Sequence, residues 1–212
     1  MPHPGKILIR ALARAAAHSI QEGLHQCEPP PKAGAHASYI PNVLVNTHDN
    51  QIARFYDDLV RPRIVLINCM AVRDQASCCH IETVSQVQPL IGEELGRSVF
   101  IYSITTDPEH DTTSLLRAFA EKYGAGKGWL FLTGEPADLK MLRARLFNHM
   151  GGEDCSMHLF RYGNEAVGLW GGIPAKSTPE LIAQRLSWIT PRERQTGPPK
   201  RGGPPPLLTV EG

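Results

Sequence analysis

Residues 64–81 read IVLINCMAVRDQASCCHI, and this stretch decides the fold of the chain. It begins with a run of β-branched and aliphatic residues, which predicts a strand covered on both faces at the centre of an α/β sheet. It then breaks into a short polar loop and enters a helical pattern at about Cys78. A thiol at a helix N-terminus has a stabilised thiolate, so this joint is where thiol redox chemistry or soft-metal binding is expected.

The segments on either side of this stretch complete a sheet. A β-hairpin is predicted before it, with a turn at 47–50, and two further strand–helix units follow it. A second hairpin is expected from 156–162 and 165–170, turning at Gly163-Asn164, before a closing helix that starts at Thr178. The expected fold class is α/β and thioredoxin-like: a central mixed sheet with flanking helices and a β-hairpin at each end. Ligands bind such sheets at the carboxyl ends of strands, where loops 72–77 and 105–111 are expected.

Length and charge bound the possible functions. The 212 residues suit one domain with tails. We expect a basic helix and Pro-rich linker at 1–38 (a possible degraded leader), a folded domain at 39–190 and a disordered Pro/Gly-rich tail at 191–212. The net charge of +1 gives no electrostatic case for a nucleic-acid or membrane-surface partner. No apolar run reaches the ~18–20 residues of a membrane span, so no transmembrane segment is expected.

The sequence leaves the compartment open. Residues 6–20 are basic and rich in alanine, but Arg10 and Arg14 interrupt the apolar stretch that a secretory signal needs, which slightly favours the cytoplasm. The five cysteines are an odd number and are not spaced as a disulfide framework. Cys69 ends a buried strand and is interpreted as a small core residue.

Five blocks stand out in order along residues 40–188: RFYDDLV (54–60), IVLIN (64–68), YSIT (102–105), DPEHDT (107–112) and GWLFLTG (128–134). Together they resemble the SCO/SenC family of thioredoxin-like copper proteins, which serve assembly of the dinuclear copper centre of cytochrome c oxidase. The resemblance implies copper as the metal, a metallochaperone role rather than an enzymatic one, and the copper subunit of the oxidase or another copper protein as partner. It also implies a periplasmic location.

The copper motif of that family is altered in this chain. The family motif is Cys-x-x-x-Cys followed by Pro, with a distal histidine; on this chain the first Cys falls on Asp74, the second on Cys78 and the Pro on Cys79. The histidine position falls on Ser156. His158 lies two residues further on and would share a strand face with that position.

The substitutions change the chemistry that is expected. Cu(I) prefers thiolate and imidazole ligands, so a carboxylate at Asp74 is a poor replacement, and a disulfide between positions 74 and 78 cannot form. A rebuilt site would draw on residues near the helix start and the second hairpin: Cys78, Cys79, His80, Cys155 and His158. Adjacent helical residues diverge by about 100°, so one of the two vicinal thiols with Cys155 or His158 is the more plausible set.

Three functions are therefore open. The leading hypothesis is SCO-like copper handling in oxidase assembly with an altered motif, with Asp74, Cys78, Cys79, Cys155 and His158 as candidate ligands. The first alternative is a thiol-dependent oxidoreductase or redox-responsive protein with Cys78 as the catalytic thiol and Cys79 or Cys155 as the resolving thiol. The second is a non-catalytic binding module that keeps the fold without the chemistry.

Overall fold

The computed structural model describes residues 34–61, 63–147 and 158–190, with the side chains of residues 75–79 excepted. Seven strands in this part of the chain form one sheet, in the order β2-β1-β5-β4-β3-β6-β7. The strands are β1 (Leu44–Thr47), β2 (Ile52–Arg54), β3 (Ile64–Met70), β4 (Val99–Thr105), β5 (Trp129–Gly134), β6 (Leu159–Asn164) and β7 (Leu169–Pro174). The helices are α1 (Gln75–Ile91), α2 (Thr113–Lys122), α3 (Pro136–Phe147) and α4 (Pro179–Ile189).

Strand β3 lies near the middle of the sheet, as its apolar run predicts. All seven of its residues are buried. It pairs in parallel with β4, from Ile64 opposite Val99 to Met70 opposite Thr105. On its other side it pairs antiparallel with β6, with Ile67 opposite Arg161. The sheet is therefore mixed, and the predicted α/β architecture with a β-hairpin at each end is confirmed.

The two faces of the sheet bury separate cores. Helices α1, α2 and α4 cover one face, with Ile81, Leu116 and Ile182 among its buried residues. On the other face α3, the 55–60 turn and residues 40–43 form the second core, which includes Phe55 and Leu142. The alternation of side chains along each strand assigns them to one core or the other. In β6, for example, Phe160 belongs to the first core.

A short chain of buried hydrogen bonds crosses the three central strands. The Trp129 indole N–H donates to Ser103 Oγ at 2.9 Å, and Ser103 Oγ donates to Asn68 Oδ1 at 2.8 Å. Each residue comes from a different strand, so the bonds form only in the observed register. Polar groups buried without partners are costly, which makes a one-residue slip unfavourable.

The second hairpin turns later than the sequence predicts. Gly163 and Asn164 lie inside β6, and the connection is a 3₁₀ turn at Glu165–Val167 followed by Gly168. Gly163 is a strand residue because the Trp170 ring packs over it; a β-carbon there would lie 2.4 Å from that ring. The Asn164 side chain accepts from Ala166 N and so caps the 3₁₀ turn instead of forming the hairpin turn itself.

Helix α1 also differs from its predicted position. It begins at Gln75 instead of at about Cys78, because residues 71–74 complete a tight turn in which Asp74 N donates to Ala71 O. The polar loop after β3 is therefore 71–74, and not 72–77. The two cysteines at 78 and 79 lie in the first turns of the helix.

Two glycines make a close backbone contact: Gly96 lies shortly before β4, and Gly128 lies immediately before β5. Gly96 has φ +82 and Gly128 has φ +104, a region that L side chains rarely adopt. A β-carbon at Gly128 would lie 2.3 Å from Gly96 N. This contact brings the chain entering β5 against the end of the segment that follows α1.

Candidate functional site

The candidate site lies where β3 and β4 end. The loop after β3 is tied to the loop after β4 by backbone hydrogen bonding, with Thr106 N donating to Met70 O at 2.7 Å. Parallel strands present their carboxyl ends at one edge of the sheet, which is the expected location of ligands in α/β folds. The first turns of α1 begin directly after this edge.

The Asp111 carboxylate connects the loops that follow β3 and β4 by hydrogen bonds. It is fully buried, and its Oδ2 accepts from Thr105 Oγ1 at 2.5 Å and from Val72 N at 3.3 Å. The sequence leaves open whether Asp111 or Thr112 caps the next helix. Thr112 is the cap, since its side chain accepts from Leu115 N, and this leaves Asp111 to hold the loop that leads into α1. The sequence alone does not predict that Asp111 holds this loop, because a turn followed by a helix cap already explains the residue types at 107–112.

His80, in α1, lies at this edge and is influenced electrostatically by His158. The His80 ring is half-buried and packs edge-on against Phe160, with ring centroids 6.0 Å apart. Burial lowers the pKa of His80, the neighbouring His158 lowers it further, Asp74 opposes the shift and Lys176 adds to it. His158 and Asp74 therefore each lie within electrostatic reach of the His80 imidazole.

His158 lies one residue before β6, is exposed, and its backbone oxygen accepts from Ala175 N at 2.9 Å. Position 156 lies outside the described residues, so the expectation that the two side chains share a strand face stays a prediction. Because β6 runs antiparallel to β3, His158 lies at the edge where β3 ends, within electrostatic reach of His80.

The remaining sequence candidates are placed as follows. Asp74 is half-buried and immediately precedes α1. The backbones of Cys78 and Cys79 are helical. Cys155 and Ser156 lie outside the described residues. Cys69 is buried in the second core, which agrees with its interpretation as a core residue.

No three donor side chains converge on one point among the residues whose side chains the structure describes. The described donors at this edge are two imidazoles and one carboxylate. Imidazole suits Cu(I) as a companion to thiolate, whereas a carboxylate is a hard ligand that Cu(I) binds poorly. A soft site at this edge therefore fits only with at least one cysteine thiolate, and the cysteines in the first turns of α1 are the nearest by chain position.

None of the described helices has the length and apolar character needed to cross a bilayer. The family model described as SCO1/SenC matches residues 75–154, which include the start of α1. No curated protein matches the sequence significantly.

Solved structures of SCO-type proteins share the fold. The SCO1/SenC family lipoprotein from Bacillus anthracis str. Ames is similar at a TM-score of 0.59 and 16% identity, over 71% of this chain and 94% of that chain. Copper-bound ScoI from Bradyrhizobium japonicum gives 0.55 and 16%, over 69% and 96%. BsSco, described as a member of the Sco family of cytochrome c oxidase assembly proteins, gives 0.57 and 17%, over 75% and 96%. At these identities the structural matches show the fold.

Proposed function

We propose that this chain, which resembles SCO/SenC proteins in fold and in the sequence of residues 75–154, binds Cu(I) as a cargo at the carboxyl edge of β3 and β4. The proposed ligands are the Cys78 thiolate, the His158 imidazole and, as the third donor, the Cys155 thiolate; His80 is not included, because residues two apart on a helix do not face each other. The observation that carries the proposal is that β6 runs antiparallel to β3, so that His158, just before β6, lies at the edge where β3 ends and α1 begins.

This donor set differs from the family motif in a chemically consistent way. The family uses two thiolates and one imidazole, whereas position 74 supplies a carboxylate in this chain. The Cys155 thiolate is a better replacement for the missing thiolate than Asp74, because Cu(I) prefers soft sulfur to hard oxygen. Cys79 is the alternative to Cys78.

The biological role follows from the relatives. BsSco is described as a member of a family of cytochrome c oxidase assembly proteins, and the solved structure of Bradyrhizobium japonicum ScoI has copper bound. We propose that this chain delivers copper to the copper subunit of the oxidase or to another copper protein, in the periplasm that the family resemblance implies. Asp111 serves the site indirectly, by holding the loop that leads into α1.

The test is an anaerobic titration of the reduced protein with Cu(I) against a competing colorimetric chelator. The variants are Cys78→Ser, His158→Ala and Cys155→Ser. The matched controls are Cys27→Ser, a thiol in the N-terminal linker, and His110→Ala, an imidazole already hydrogen-bonded to Asp107 at 2.7 Å. Loss of a ligand should weaken binding by more than the roughly 10- to 100-fold that the loss of an outer-shell partner costs.

The pattern among the variants decides between functions. Tight one-to-one binding that all three site variants weaken and both controls retain supports the proposal. Loss in Cys78→Ser alone, with mixed-disulfide formation by the wild type, would point instead to a thiol-dependent oxidoreductase. Cu(I) binding no stronger than that of a small free thiol would end the copper hypothesis for this chain and leave a binding module.

A further inference from the structure

A cavity lies on the opposite face of the sheet from His80 and Phe160. Its volume is about 340 Å³, within the range of small-molecule sites. We call it the aromatic pocket; it is lined by His36, Tyr39, Ile40, Arg145, Leu146, Arg161 and Trp170. Arg161 follows Phe160 in β6 and therefore points to the α3 side of the sheet. The pocket is thus separate from the proposed copper site.

Two guanidinium groups line this pocket. Arg161 is half-buried, and its Nε is buried without an acceptor among the described residues. Arg145 is exposed, and its guanidinium carbon lies 5.7 Å from the centroid of the Tyr39 ring. Within the described ranges, no carboxylate forms an ion pair with either arginine. An arginine remains charged in proteins, so the buried donor of Arg161 lacks the partner that such groups almost always have.

The aromatic walls of the pocket are fixed in position. The Trp170 indole donates to Glu165 Oε2 at 2.9 Å, and the His36 backbone N–H donates to Oε1 of the same carboxylate at 2.6 Å. The His36 and Trp170 rings meet edge-on at 6.1 Å. The Tyr39 hydroxyl donates to Arg145 O at 2.6 Å, which holds its ring beside α3. Rings held in this way offer a preformed surface and lose little conformational entropy when a ligand binds.

We propose that the aromatic pocket binds a small organic carboxylate with a flat apolar body. The carboxylate would accept hydrogen bonds from Arg161 and Arg145, since a guanidinium matches a carboxylate in charge and shape. The flat body would lie among the Tyr39, Trp170 and Ile40 side chains. Charge complementarity favours an apolar carboxylate as the ligand, because two arginines and several apolar side chains line the pocket and none of its lining residues is acidic.

Benzoate is the probe, and benzamide, which has the same ring without the charge, is the matched ligand control. Binding is measured on the full chain by isothermal titration calorimetry. It is located by the indole N–H resonance of Trp170 in ¹⁵N-labelled protein, assigned with Trp170→Phe. We expect saturable benzoate binding that shifts this resonance, and benzamide binding weaker by at least about tenfold, the loss expected for one charge-assisted hydrogen bond.

Two variants test the arginines separately. Arg161→Met and Arg145→Met each remove one guanidinium and keep most of the side-chain length. Arg185→Met is the control, because Arg185 also lies over an indole, Trp188 at 4.3 Å, but outside the pocket. We expect each pocket variant to weaken benzoate by about tenfold and the control to leave it unchanged. Arg145 is exposed, so its variant remains informative even if Arg161→Met reduces stability.

Four outcomes would overturn the proposal. They are no saturable benzoate binding to the folded wild type, equal affinities for benzoate and benzamide, an unchanged affinity in both pocket variants, and an equal loss in Arg185→Met. Cys78→Ser should bind benzoate as the wild type does. The result therefore stands or falls independently of the copper site.

Discussion

Glu165 accepts four hydrogen bonds, and its substitution by glutamine should destabilise the protein substantially. The carboxylate is buried at the turn between β6 and β7. Its Oε1 accepts from His36 N at 2.6 Å and from the Tyr56 hydroxyl at 2.8 Å. Its Oε2 accepts from Trp170 Nε1 at 2.9 Å and from the His36 ring at 3.1 Å. The bonds join the segment before β1 to the far edge of the sheet.

The size of the expected loss of stability follows from the hydrogen bonds that a glutamine amide can still accept. In Glu165→Gln, an amide oxygen in the Oε1 position still accepts from His36 N and Tyr56, but the NH₂ group then faces the Trp170 N–H, so that bond is lost. A hydrogen bond to a charged acceptor contributes about 1.5–3 kcal/mol, and the two retained bonds weaken when the acceptor becomes neutral. The bond to the His36 ring is discounted because that side chain is 35% exposed. The expected loss is about 3 kcal/mol in the free energy of unfolding.

Thermal and urea unfolding of the full chain measure this loss. At 2–4 °C per kcal/mol for a protein of this size, Tm should fall by about 6–12 °C. Glu121→Gln, on the exposed side of α2, is the matched control and should stay within about 0.5 kcal/mol of the wild type. Trp170→Phe combined with Glu165→Gln should cost less than the sum of the two single changes, because both remove the same bond. Equal stability of Glu165→Gln and the control, or full additivity with Trp170→Phe, would refute the reasoning.

The same carboxylate makes acid stability depend on pH. Burial by itself raises the pKa of Glu165, but the hydrogen bonds from His36 N, Trp170, Tyr56 and the His36 ring outweigh burial and lower the pKa below its usual value. A lowered folded-state pKa means that the stabilisation is complete above the unfolded-state pKa of about 4.3 and is lost as pH falls through the folded-state value. The amide in Glu165→Gln does not titrate, so the stability difference between wild type and variant should shrink across that acid window. A constant difference would contradict this account.

Two glycine substitutions and one aspartate substitution test other parts of the fold. Gly128→Ala should cost about 3 kcal/mol or more, because its β-carbon meets backbone at 2.3 Å at a positive φ. Gly124→Ala, also at positive φ but with nothing within 4 Å, should cost only about 1–2 kcal/mol in the same melt; equal costs would remove the steric argument. Asp111→Ala should cost about 2–4 kcal/mol by losing two hydrogen bonds to a carboxylate, and should speed amide exchange at Val72. Unchanged exchange there would show that Asp111 does not hold the loop.

The regular elements were predictable because their signals are local. The apolar run at 64–70 identifies a strand covered on both faces, and Thr178 before Pro179 marks a helix start, with Thr178 accepting from Leu181 N. The second hairpin was placed wrongly because Gly163-Asn164 is a typical turn pair. The ring of Trp170, seven residues further on, is what makes glycine necessary within the strand.

The candidate site was predictable only in outline. The sequence points to the joint at the start of α1 and to His158, because thiols and imidazoles are recognisable by type. The electrostatic influence of His158 on His80 depends on how β6 packs against α1, and the roles of Asp111 and Glu165 depend on burial. Neither burial nor contacts between distant segments follow from spacing along the chain.

The position of β3 between β4 and β6 has a consequence for how the chain folds as it is made. Its parallel partner is complete by Thr105, but its antiparallel partner ends at Asn164, so for about sixty residues of synthesis one side of the most apolar strand has no neighbour to pair with. An unpaired strand edge of this kind is prone to pair with other chains. The late C-terminal hairpin therefore closes the sheet, and a chain that stops before residue 164 should need protection from aggregation.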